Sequence, residues 1–113
     1  MKKVSVIRYA DPKLKSDLIN LKNSKENDLY GFINNAFDDL ELNAFCGIQI
    51  PKKQIPKEYI KKYKIDNCWK YNLPGAWRII YSIVSKNEIE VISLILEWIT
   101  HKDYERKFGY KRS

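Results

Sequence analysis

The clearest pattern in the chain is helical. Leu29, Phe32, Ile33, Ala36, Phe37 and Leu40 recur at i, i+3, i+4, i+7, i+8 and i+11, which sets one apolar stripe against an acidic face. Asp28 is the expected N-cap of this helix. Before it, Leu14, Leu18 and Leu21 fall at helical spacing behind Asp11, a cap residue, and Pro12, which suits a first helical position. The opening stretch VSVIRY is rich in β-branched residues and predicts a strand. Between Cys46 and Pro56 the pattern breaks at Gly47, Pro51 and Pro56, and PKEYIKKY then fits one or two helical turns.

Three strands are expected in the remainder, over 68–73, 76–85 and 88–98, joined by LPGA and SKNE. Connections this short force antiparallel neighbours, because parallel strands need a long crossover. The order is β-α-α-β-β-β: an α+β domain covering 1–113, with the N-terminal strand and helical hairpin packed on one face of a small antiparallel sheet. The other face is expected to be open.

One residue interrupts the apolar run of the middle strand. In WRIIYSIV, Trp77, Ile79, Tyr81 and Ile83 share one face, and Arg78, Ile80, Ser82 and Val84 share the other. Arg78 carries a permanent charge with forked donors suited to phosphate or carboxylate, so burying it requires an anion. Two readings stand open: an ion pair with Glu90 or Glu97 or a snorkelled rim position, or a face turned toward a ligand.

Charge adds direction to this picture. The formal net charge is +7 and the pI about 9.4, which favours an anionic partner such as nucleic acid, an acidic protein or a membrane surface. Residues 26–43 carry Glu26, Asp28, Asp38, Asp39 and Glu41 with no Lys or Arg, whereas 52–64 carries six lysines against Glu58, and the end of the chain is basic again. If the two basic segments meet, they form one footprint able to track a phosphate backbone. No apolar run approaches a membrane span of ~20 residues, and a soluble cytoplasmic protein is expected. Cys46 and Cys68 have neither CxxC spacing nor a local histidine, so they are expected to be reduced thiols, with no metal site.

The segment after the last strand, EWITHKDYERKFGY, holds the one histidine, His101, with Lys102, Tyr104 and Arg106 close behind. On a turn or short helix His101 and Tyr104 share a face. Histidine moves protons near neutral pH, and cations beside such a group hold a phosphate. A helix cap and a packing ring are the alternative reading of the same two residues.

The element order, the block WKYNLPGAWRIIYSI and the closing THKDYERKF together resemble the RelE/ParE superfamily of type II toxin-antitoxin toxins, with the tail most similar to the RelE and HigB-like branch. The similarity covers roughly residues 67–108. It implies a RelE-like fold and a ribosome-dependent mRNA endonuclease, silenced by a small antitoxin protein. In such toxins the substrate's own 2′-hydroxyl attacks the phosphodiester, without metal or cofactor. Arg78 then matches the arginine that contacts the scissile phosphate, and His101 and Tyr104 match the acid/base region. Lys70, Lys102, Arg106, Lys61 and Lys62 are the expected RNA contacts, and Trp69 either stacks a base or packs. No glutamate on the strand bearing Trp69 matches the general base of some relatives; Glu58 and Tyr59 lie nearest, and the base is left open. A ParE-like gyrase inhibitor and a non-catalytic RNA-binding relative are the alternatives.

Overall fold

A computed structural model describes residues 3–109; the basic positions expected at 111–112 lie outside them. The elements run β1 (Ser5–Tyr9), α1 (Lys13–Lys22), α2 (Asn27–Leu42), β2 (Ile48–Gln49), α3 (Lys57–Tyr63), β3 (Trp69–Leu73), β4 (Trp77–Ser85), β5 (Val91–Thr100) and α4 (His101–Lys107). The fold is α+β, built on a five-stranded sheet of order β1-β5-β4-β3-β2.

The sheet is mixed rather than wholly antiparallel, because β1 pairs parallel with β5 while the other three pairings are antiparallel. The short-turn argument binds only strands that a short turn joins. β1 has no such connection to β5; the helical hairpin leads away from it to β2 at the opposite edge. Buried side chains fix its place: the Ser5 hydroxyl donates to the Leu40 carbonyl at 2.7 Å and lies 2.8 Å from the Ser93 hydroxyl.

Both helices of the hairpin form, with their caps displaced. Asp11 accepts from the Lys13 N–H at 2.9 Å, but the helix proper starts at Lys13. α2 starts at Asn27, so Asp28 sits inside the first turn, where a carboxylate still favours the helix dipole. The stripe predicted from the sequence packs as expected: Leu29, Ile33, Ala36, Phe37 and Leu40 meet Ile79, Tyr81 and Ile95 in one core, with Trp69 and Trp77 against it. Trp69 therefore packs, its ring 5.6 Å from Phe45 and 6.2 Å from Tyr81.

The opposite face is not open. Ile50, Ile55, Tyr59, Ile65 and Cys68 join Ile80, Leu96, Ile99, Tyr104 and Phe108 in a second core, so the 48–65 segment and α4 cover what was expected to be free. A bulge makes this possible. Ile80 pairs with Glu97 and Tyr81 with Ile95, leaving Leu96 as an extra residue in β5. Leu96 and Glu97 consequently point to the same face, and Ile99 follows them there. Glu97 meets Lys107 of α4 at 3.2 Å. Of the two cysteines, Cys68 is buried and Cys46 exposed, both free; burial pushes the Cys68 thiol up to about 12.

Gly47 locks the 48–65 segment to the sheet. Its N–H donates to the Tyr81 hydroxyl at 3.2 Å, and that hydroxyl donates to the Ala44 carbonyl at 2.8 Å. A Cβ at Gly47 would stand 2.6 Å from the Lys70 carbonyl oxygen and against the Tyr81 hydroxyl. Gly47→Ala is therefore expected to cost about 1–3 kcal/mol, as overpacking does; an unshifted urea midpoint would refute the close approach.

Tyr71 ties the sheet to α2 by donating to the Asp39 carboxylate. Burial first, then that hydrogen bond and the Asp39 charge, raise its phenol from the ordinary 10.0 to about 12. The folded chain keeps a proton that the unfolded chain releases, so this contribution is intact below about pH 10 and is lost as the pH rises through about 12. Tyr71→Phe should make the alkaline decline in stability shallower across that interval. Urea midpoints measured through it check this, and a decline of unchanged steepness would exclude Tyr71 as a source.

Candidate functional site

Arg78 sits in β4 on the face parity assigned it, beside Ile80 and opposite Ile99. Neither carboxylate weighed for it reaches it: Glu97 pairs with Lys107, and Glu90 with Lys86 at 3.8 Å. Its guanidinium instead donates to Asn72 Oδ1 at 2.6 Å and contacts His101 Nδ1. Its Nε is buried with no hydrogen-bond partner among the described residues. No carboxylate forms an ion pair with Arg78 among the described residues. A guanidinium held by an amide oxygen and a ring nitrogen, with no carboxylate, keeps its charge available to an incoming anion.

The backbone brings these partners together for local reasons. The Leu-Pro-Gly-Ala turn, with Gly75 and Ala76 both at positive φ, closes the β3–β4 hairpin so that Asn72 lies directly opposite Arg78. At the far end of β5, Thr100 caps α4 by accepting from the Asp103 N–H at 3.2 Å. The His101 N–H donates to the Ala76 carbonyl at 2.7 Å, so α4 starts against the hairpin turn. His101 and Tyr104 then face Arg78 together, as their spacing predicts: Tyr104 is 1% exposed, and the Arg78 Cζ lies 5.1 Å from its ring centroid.

His101 is held from both sides. Its Nε2 lies 3.1 Å from Glu105 Oε2, one helical turn on, while Nδ1 meets an arginine donor. Only the tautomer with the proton on Nε2 satisfies both contacts, since Nδ1 must accept. Glu105 and Asn72 were not singled out from the sequence. The i+4 spacing from His101 signals the first, and the hairpin register signals the second.

Lys70 completes the group from β3. Its Nζ lies 4.6 Å from the centroid of the Tyr104 ring, an arrangement that favours a cation over an aromatic face. Burial, and then the Arg78 charge, lower its pKa from the ordinary 10.5. Phe108 stacks on the Tyr104 ring at 4.6 Å and supports it from within the second core.

The remaining expected contacts lie apart from this group. Lys102 is exposed on α4, and Arg106 pairs with Asp103 at 3.0 Å. Lys61 and Lys62 are exposed on α3, with Lys62 Nζ 5.2 Å from the Tyr63 ring. The two helices nevertheless touch: Tyr59 of α3 meets Phe108 at 5.4 Å, and Lys107 Nζ lies 6.0 Å from the Tyr59 ring. The basic segments are thus neighbours. Glu58 is exposed and Tyr59 is buried in the second core. No three His, Cys, Asp or Glu side chains gather to hold a metal ion among the described residues, and no helix there is long and apolar enough to cross a membrane.

Arg78 and Lys70 supply positive charge at one point, and His101 and Lys70 supply groups that exchange protons. That combination binds a phosphate and can move protons around it. Compared with family models, curated proteins and solved structures, the chain matches none.

Proposed function

We propose that this chain is the toxin of a type II toxin-antitoxin pair, a RelE-like endonuclease that cuts mRNA on the ribosome and is silenced by a cognate antitoxin. One observation carries the reading: Arg78, without a carboxylate partner among the described residues, is gathered with Lys70, His101 and Tyr104 into a single cluster. In this mechanism His101, whose ring is held by Glu105 and whose Nδ1 is the accepting nitrogen, takes the proton from the 2′-hydroxyl as Arg78 turns to the phosphate. The 2′-oxygen attacks phosphorus, and Arg78 stabilises the charge of the phosphorane. Lys70, an ammonium whose lowered pKa makes it the readier acid, delivers a proton to the departing 5′-oxygen, leaving a 2′,3′-cyclic phosphate and a 5′-hydroxyl end. Tyr104 is the platform on which both cations rest. The basic side chains of α3 and α4, including Lys61, Lys62, Lys102 and Arg106, hold the RNA backbone.

Induced expression should arrest growth within one or two generations by stopping translation, and mapping of RNA 5′ ends should show new cuts within translated mRNA. DNA damage signalling without such cuts would replace this reading with gyrase poisoning. No arrest and no cuts would leave a binding protein.

A further inference from the structure

The segment that interrupts the sequence pattern between Cys46 and Pro56 builds a wall beside the cluster. Ile48, Gln49, Ile50, Pro51 and Gln54 enclose, together with Lys70 and Tyr104, a concavity of about 220 Å³. This is smaller than the ~300–1,000 Å³ of sites that take a whole drug-sized ligand, and its size suits one planar ring system. Its walls are of two kinds. Ile48, Ile50 and Pro51 are apolar, and Ile48 stays half exposed although it faces the concavity. Gln54, half-buried, carries a side-chain amide with no hydrogen-bond partner among the described residues, whereas Gln49 contributes its backbone, its side chain sharing the face of Trp69. An amide offers a donor and an acceptor together, the pair needed to read the edge of a base.

The segment is also fixed in place. Ile48 and Gln49 pair with Lys70 and Trp69, the Ile50 N–H donates to the Cys68 carbonyl at 2.9 Å, and the Gln54 N–H closes a turn on the Pro51 carbonyl at 2.9 Å. Lys70 belongs to both the concavity and the cationic cluster, so a group seated here lies next to a phosphate held by Arg78.

We infer that this concavity is a nucleobase subsite: it seats one base next to the bound phosphate, Ile48 and Pro51 pack against the base plane, and Gln54 selects the base by its edge. The inference rests on the proposed RNA substrate and adds the residues that choose the sequence. The partner is single-stranded RNA, whose bases can be splayed into such a site, and not a duplex.

The test uses uncleavable 2′-O-methyl dinucleotides covering all four bases at each position, titrated into the full chain and followed by NMR of side-chain amides. One base at one position should bind at least about fivefold more tightly than the others, and the Gln54 NH₂ signals should shift with it. Gln54→Leu should remove that preference while keeping the fold, and Gln49→Leu, on the other face of β2, should leave it unchanged. Equal affinity for all dinucleotides, or a preference untouched by Gln54→Leu, overturns the subsite. Binding with base preference in a chain that neither arrests growth nor cuts RNA would retain the subsite and remove the nuclease reading.

Discussion

Arg78→Ala should lower cleavage of ribosome-bound mRNA by about 10²–10³-fold, the loss that follows removal of one donor aimed at developing charge. Growth arrest should be relieved accordingly. The substitution does not strip a partner from a buried carboxylate, because Arg78 is held by Asn72 and His101, so the fold should survive it. Far-UV circular dichroism and a urea midpoint check this, and Arg78→Lys separates charge from shape. Lysine keeps the charge but lacks the fork that engages Asn72 and His101 at once, so it should restore activity only in part. A folded Arg78→Ala protein as toxic as the parent would remove Arg78 from the mechanism.

Phe108→Ala should be the most damaging single core change near the site. Phe108 is 2% exposed, stacks on Tyr104 at 4.6 Å and meets Tyr59 edge-on at 5.4 Å. It closes α4, a helix of seven residues that cannot stand without tertiary support. Truncating a buried phenylalanine costs about 3–5 kcal/mol, and here part of that loss should appear as local release of α4. Amide exchange in residues 101–107 should then quicken more than exchange in the central strands, with activity lost because His101 and Tyr104 leave Arg78. A loss under about 1 kcal/mol would mean that the second core does not anchor the helix.

The legible parts of this fold were the periodic ones. Six apolar positions from Leu29 to Leu40 gave α2 and its buried face, and short turns gave the β3–β4–β5 meander. Two-residue alternation put Arg78 on the correct side of the sheet before any contact was known. The second layer was not legible, because Ile50, Ile55, Tyr59 and Ile65 are single apolar residues set among Pro and Lys, with no period to count. The direction of β1 was equally hidden, since it depends on a distant partner strand and a buried Ser5–Ser93 contact. Within the site, Arg78, His101 and Tyr104 were marked by residue type, and Lys70 only by the family resemblance. Asn72 and Glu105 are ordinary residues that matter only through register and helical spacing. The alternative pairing of Arg78 with Glu97 is not made although the bulge sets both on one face, because Glu97 is held by Lys107 of α4.

That bulge divides β5 into two lengths that are out of phase. Up to Ile95 the strand is in step with the helical hairpin; beyond Leu96 it is in step with α4. Insertions and deletions around this point are therefore not equivalent to substitutions. Deleting Leu96 alone would take out the bulge and leave Glu97 and Ile99 on the face of Ile80 and Trp98 with Ile79, whereas straightening the bulge with Leu96 opposite Ile80 would send Trp98 to that face and Glu97 and Ile99 to the helical side. That one-residue slip would exchange the inside and outside of the strand's last residues, and α4 would lose its seat while every residue of the candidate cluster remained in the chain.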